Sequence, residues 1–429
     1  MPRPVILPAA AVMLAVAFFV PAGAETSRGF SAGFGAASVP DGAGGTYVAW
    51  STDRDGPGDI YLQRVTASGD VAPGWPAAGL AVCTAPGMQI ESGILPDGAG
   101  GVLIGWADFR DQPFNPFGGT ADFYAQRVSS AGAPQWTANG VRVLAGFNVA
   151  ADLGAAADGS GGAFLVWSLG DASDDGNVYA LHFTGSGALA TGWNPAGEPV
   201  CTDPFGQYEP VVAPDGSDGC YVVWEDDRDF SNEIYAQRLN ASGDLQWTVD
   251  GVSLTGGNGG ISPAVCTDGA GGLLAFWIAS PDIVGQRYDG AGAEQWTSGG
   301  LTVGAVSFGE EVLAYPDPAS GAYVVWRDQA IGTAIEAQRV NGAGVTQWTA
   351  GGVTVCSTTG NRFVENAVIE GDGSLSLLWE DERSMSSTDL YVRRVSPTGT
   401  PLWTANGVAL TTTARDQLPV LWRRMAWAG

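Results

Sequence analysis

The sequence predicts an all-β protein, a β-propeller of seven four-stranded antiparallel blades, on three observations. One unit recurs seven times, turn residues sit at fixed offsets inside it, and apolar residues alternate on a two-residue period between the turns. The string DGAGGTYVAW, Asp41 to Trp50, returns as DGAGGVLIGW ending at Trp106 and DGSGGAFLVW ending at Trp167. It recurs as DGSDGCYVVW at Trp224 and DGAGGLLAFW at Trp277, with shorter forms closing at Trp326 and Trp379. Consecutive tryptophans of this series stand 49 to 61 residues apart.

Each element of the unit has its own signal. An extended run such as Glu209 to Ala213 comes first, and Asp-Gly then supplies the left-handed conformations of a tight hairpin. The run that ends in tryptophan is the second strand. A polar loop follows, then the third strand, DIYLQRV at Asp59 to Val65, with Ile60, Leu62 and Arg64 on one face and Tyr61, Gln63 and Val65 on the other. A turn such as TASGD leads to a second tryptophan (Trp75, Trp136, Trp193, Trp247, Trp296, Trp348, Trp403), and a run such as NGVRV is the fourth strand. Fourteen of the 16 tryptophans are thereby placed; Trp422 and Trp427 fall outside the pattern. Coils of a linear β-solenoid are shorter, about 20–30 residues, so a unit with two hairpins fits a blade.

The domain reading is a signal peptide over 1–24, a propeller of seven repeats over 25–416, and a closing strand or the stub of a further blade over 417–429. Arg3, the apolar run Val5 to Val20 and Ala22-Gly23-Ala24 compose the export signal, so a secreted, periplasmic or outer-surface location is expected. Gln417 to Leu421 copies the start of a unit, and the blade count becomes eight if the chain is C-terminally truncated.

Composition narrows function. All 19 basic residues are Arg against 45 acids, a formal charge of −26, which argues against nucleic-acid binding and against docking on anionic lipid. No run after the signal suggests membrane insertion. The five cysteines include Cys83, Cys201 and Cys356 at one position of three repeats, where others carry Leu, which reads as buried apolar side chains rather than a disulfide framework. One histidine, His182, leaves no His-based metal site or triad.

The Pro-Asp-Gly turns at Pro96–Gly98 and Pro214–Gly216, each followed by an apolar strand and later by Asp122-Phe123-Tyr124 or Glu233-Ile234-Tyr235, resemble TolB-type and WD-repeat-like propeller units of exported bacterial proteins. The resemblance covers nearly the whole mature chain and implies strand a innermost, then b, c and outer d. The b–c and d–a connections then share one side of the ring. Fold alone does not imply activity.

Trp50, Trp106, Trp167, Trp224, Trp277, Trp326 and Trp379 need one environment seven times, which packing between blades provides and a single ligand site does not. Arg64, Arg127, Arg238, Arg287, Arg339 and Arg394, with His182 in the third repeat, are expected to pair with b-strand or loop carboxylates as structural staples. The variable b–c loops are the expected functional face: Phe114 and Phe117 in the insertion Gln112 to Ala121, Asp171, Asp174 and Asp175 in the third unit, Asp226, Asp227 and Asp229 in the fourth. Asp53, Asp55 and Asp59 are weak calcium candidates without a full calcium-loop template; no other cofactor is expected. Phosphate loops and H-E-x-x-H are absent from the sequence. The expectation is a non-catalytic, monomeric exported propeller that binds a protein or glycan ligand. The alternatives are a carbohydrate-active enzyme using rim carboxylates and a structural surface or adhesin repeat.

Overall fold

A computed structural model describes residues 36–52, 58–111, 120–148, 152–171, 174–307, 309–329, 334–384 and 389–410. They form seven four-stranded sheets arranged as the blades of a ring, with no α-helix among the described residues. Blade one is β1 (Ala36–Pro40), β2 (Thr46–Thr52), β3 (Asp59–Val65) and β4 (Leu80–Cys83). Blade two is β5 (Gln89–Pro96), β6 (Val102–Asp108), β7 (Thr120–Val128) and β8 (Val141–Asn148); blade three is β9 (Leu153–Ala157), β10 (Ala163–Asp171), β11 (Asp174–Phe183) and β12 (Glu198–Cys201). Blade four is β13 (Gln207–Pro214), β14 (Cys220–Asp226), β15 (Glu233–Leu239) and β16 (Val252–Ser253); blade five is β17 (Ile261–Thr267), β18 (Leu273–Ala279), β19 (Asp282–Tyr288) and β20 (Leu301–Ala305). Blade six is β21 (Gly309–Asp317), β22 (Gly321–Asp328), β23 (Ala334–Val340) and β24 (Val353–Cys356); blade seven is β25 (Arg362–Ile369), β26 (Leu375–Asp381), β27 (Asp389–Val395) and β28 (Val408–Ala409). Every blade is antiparallel in chain order and drawn from a single repeat.

The first hairpin is fixed by an Asp-Gly turn in every blade but the sixth, where Asp317 precedes Pro318. In blade four, Asp215 Oδ1 accepts from the backbone N–H of Ser217 at 2.8 Å and of Gly219 at 2.9 Å, while Gly216 adopts φ +74°. The other carboxylate oxygen receives the third-strand arginine, Arg238 Nη2 at 2.8 Å. The same staple joins Arg64 to Asp41, Arg127 to Asp97, Arg287 to Asp268 and Arg339 to Asp317. His182 takes the place of Arg at 3.1 Å from Asp158, and Arg394 reaches Asp372 and Glu370. The partner is therefore the carboxylate of the turn between the first and second strands.

Two further fixtures recur. In blades two, four, five and six the buried glutamine before the arginine holds the loop of the second tryptophan: Gln126 Nε2 donates to Thr137 O at 2.9 Å, and its Oε1 accepts from Trp136 N at 3.0 Å. Gln237, Gln286 and Gln338 repeat both bonds. The second tryptophan then latches onto the next blade. Trp75 Nε1 and Arg64 Nη1 both donate to Ser130 O, at 3.2 and 2.9 Å. Trp136, Trp247, Trp296 and Trp348 do the same with their arginines, on Gly185, Gly290, Gly342 and Pro397. Trp193 bonds Ala241 O at 3.0 Å without an arginine.

The hydrophobic core lies between blades. Six clusters of buried residues each span one pair of successive blades, from blades one and two to blades six and seven. The first tryptophans of blades two to seven are 0 to 3% exposed, whereas Trp50 of blade one is half-buried. That difference marks the seam between blades seven and one. Asn366 Nδ2 donates to Ser38 O across it at 3.0 Å, tying the innermost strands. Farther out the latch is unmade: Trp403 is 47% exposed, and Gly69, the counterpart of glycines that lie against tryptophans elsewhere, has open space where a Cβ would stand. No buried cluster of the described residues spans this junction.

Candidate functional site

In each blade the turns between first and second and between third and fourth strands share one side of the ring, and these vary least from repeat to repeat. The opposite side carries the connections that differ from repeat to repeat. Its roots are held by a network that recurs in blades two, four and seven. Trp224 Nε1 donates to Asp226 Oδ2 at 2.9 Å, and Arg228 holds both oxygens of the same carboxylate through Nε at 2.8 Å and Nη2. The guanidinium lies 3.9 Å from the centroid of Tyr235 and also donates to Asp250 O. Its Nη2 is 3.2 Å from the sulfur of Cys201, in the preceding blade's outer strand. Trp106, Asp108, Arg110 and Cys83 repeat the arrangement, as do Trp379, Asp381, Arg383 and Cys356.

Asp226 is thus 1% exposed and belongs to the frame. All five cysteines are buried and unpaired. Burial pushes the thiol of Cys83 up to about 11 and that of Cys201 up to about 12, so both stay protonated near neutrality. Burial also pushes the Asp381 carboxyl upward, but hydrogen bonds from Arg383 and Trp379 outweigh it and hold the group below the usual carboxylate range.

On the surface above blade four three aromatic side chains gather. Phe205 lies in the link from β12 to β13, Tyr208 starts β13, and Phe230 tips the loop from β14 to β15. They are 37%, 44% and 88% exposed. Phe205 and Phe230 meet edge to face, centroids 5.5 Å apart. The two loops are tied by Asp227 N to Gly206 O at 3.0 Å, and the second loop is turned by the bond from Phe230 N to Asp227 O at 2.8 Å. A Cβ at Gly206 would strike the Tyr208 ring, so a larger residue there would displace that ring. Phe230 itself has φ +60°, an unusual conformation for a bulky residue. Asp229 is exposed beside it, with Oδ2 3.4 Å from the Tyr235 hydroxyl; Asp227 is half-buried, its Oδ1 enclosed without a described partner.

The other sequence-predicted residues are distributed as follows. Phe114, Phe117, Asp53 and Asp55 lie outside the described residues. Asp171 and Asp174 pair in register at the tip of the β10–β11 hairpin, and Asp175 pairs with Gly170. Asp59 opens β3 and is buried. Among the described residues no three His, Cys, Asp or Glu side chains converge as a metal-binding group.

Sequence reasoning missed a set of acids where the inner strands begin. Glu91, Asp152, Glu209 and Glu311 stand six residues before their turn aspartates, and Glu365 holds the neighbouring place in blade seven. In blades two, four, five, six and seven the register slips at this point. Asp152 Oδ2 accepts from Glu209 N at 3.2 Å across the junction of blades three and four, and Glu311 pairs with Arg327 at 2.9 Å. The offset from the turn was the available signal. Phe205, Tyr208 and Phe230 had none, because exposure of an aromatic is decided by loop packing.

No protein-family model matches the chain, and no curated protein matches it. Solved structures similar to it include TolB from Acinetobacter baumannii, at 11% identity over 84% of this chain and 79% of that one, TM-score 0.33. Prolyl oligopeptidase B from Galerina marginata is similar at 14% identity over 94% of this chain and 53% of the other, TM-score 0.45. An α-L-arabinofuranosidase from Clostridium thermocellum is similar at 13% identity over 60% and 94%, TM-score 0.35. These likenesses concern chain path and leave function to the chain's own surface.

Proposed function

We propose that this is an exported, non-catalytic propeller that binds a protein or glycan ligand on the face of its variable connections. The observation that carries the reading is the cross-tied aromatic trio Phe205, Tyr208 and Phe230, held exposed on that face while the acids, arginines and thiols beneath it are bound into the frame. Glycan-array and pull-down binding of the wild type should be lost when Phe205 and Phe230 are both replaced by Ala, with thermal unfolding unchanged. Retained binding in that variant sinks the reading.

A second reading, a carbohydrate-active enzyme, is supported by the acids at the start of the inner strands, since two suitably spaced carboxyl groups are what glycoside hydrolysis requires. A hydrolase screen in which one substitution, Glu209→Gln or Glu311→Gln, abolishes turnover would establish it in place of the first.

A further inference from the structure

The blade-four patch combines aromatic faces with carboxylates, and this pairing has a specific chemistry. Phe205, Tyr208 and Phe230 offer exposed ring area, and Asp203, Asp227 and Asp229 stand within the same two loops. The cation nearest in sequence, Arg228, is occupied by Asp226, Asp250 O and the Tyr235 ring, so it does not neutralise them. Asp203 Oδ1 accepts from Phe205 N at 3.3 Å and Asp229 faces a hydroxyl at 3.4 Å, both long contacts that leave acceptor capacity. The chain as a whole contains no lysine and carries −26 formal charge, so encounter with a cation is favoured and with an anion opposed.

We propose that this patch receives a basic segment of a partner protein, an arginine or lysine side chain lying over the Phe230 and Phe205 rings with its charge met by Asp229 and Asp227. Guanidinium and ammonium groups are attracted to ring faces, and carboxylates alongside supply the acceptors such donor-only groups need. The tie between the loops and the turn bond at Phe230 preform the site, which limits the ordering cost of binding. This assignment rests on the binding reading of the loop face and narrows its ligand.

The test titrates a fluorescein-labelled Arg-Gly repeat peptide into the full chain, with its citrulline counterpart as the neutral control. Binding of the Arg peptide, weakening as salt is raised, is expected. Phe230→Ala should weaken it about tenfold and Asp229→Asn about threefold, with the unfolding temperature unchanged. Equal binding of the citrulline peptide overturns the proposal, as does Arg-peptide binding indifferent to Phe230→Ala, which would be diffuse attraction to an acidic surface. No Arg-peptide binding also overturns it. If a neutral oligosaccharide then binds and loses affinity in Phe230→Ala, the loop-face reading stands and only the basic ligand fails. If no ligand responds to the substitution, both fall.

Discussion

At the residue scale, the chain spends its few reactive groups on its frame. Cys201 touches Arg228, which grips Asp226, which takes the indole N–H of Trp224. A carboxylate this deep is stable only because five donors surround it, from Trp224, the backbone and side chain of Arg228, and the Cys201 thiol. Replacing Asp226 by Ala strands a half-buried guanidinium and a buried indole N–H and should cost about 3 kcal/mol in denaturant titrations. Asp229→Asn, on the exposed loop, should change stability by no more than about 0.5 kcal/mol. The thiols offer a second check. None of the five should react with an aromatic disulfide reagent in the folded protein, and all should react once it is unfolded, because each is buried and those of Cys83 and Cys201 are pushed far above neutrality.

At the element scale, the blade is held to its successor by a tryptophan and an arginine sharing one turn carbonyl. Trp348, 6% exposed, makes that latch with Pro397 O and lies against Gly399. Trp348→Ala should therefore cost about 3–5 kcal/mol. Trp403 occupies the same place in its repeat but meets solvent, so Trp403→Ala should cost about 1 kcal/mol or less, read from the same denaturation curves. Gly69→Ala and Gly399→Ala offer a matched comparison. Both positions have left-handed φ, +86° and +80°, so each carries backbone strain of about 1 kcal/mol. Only at Gly399 would the new methyl also strike a tryptophan, adding about 1–3 kcal/mol.

At the scale of the whole molecule, the ring has one junction unlike the other six. Native-state hydrogen exchange should show amides of β1 and β2 and of β26 and β27 opening at lower free energy than those of β14 and β18, since no buried cluster spans the blade seven–blade one seam among the described residues. Uniform protection around the ring would contradict the unmade latch. The acid response is also collective. Burial raises the carboxyls of Asp158, Asp268 and Asp381, but hydrogen bonds (from His182, the turn amides with Arg287, and Arg383 with Trp379) more than offset it, so all three lie below their ordinary values. Groups depressed in the folded state stabilise it above the unfolded carboxyl value of about 3.9, and that contribution is lost as pH falls through their folded values. The unfolding temperature should thus hold from about pH 7 to 5 and fall steeply below about pH 4. Asp268→Asn should lower it at pH 7 and shrink the drop.

Much of this was legible beforehand. Six Asp-Gly hairpins, fourteen placed tryptophans and the third-strand arginines are local or repeat-internal features, and each blade forms from one contiguous repeat. The network of Cys83, Cys201 and Cys356 with aspartates 25 residues downstream was written in the sequence, but as a correlation between successive repeats, which inspection of one repeat does not reveal.

By itself the sequence determined the architecture, because periodic turns and alternating apolar residues dictate hairpins too small to bury their own faces. Only the tertiary structure decided which copies are equivalent. Trp403 and Trp348 carry the same motif, yet one is latched and the other is not, since ring closure joins residues from opposite ends of the chain. The aromatic trio of blade four was decided the same way: whether a phenylalanine packs or projects depends on which loops meet, and that is set by neighbouring blades rather than by the repeat.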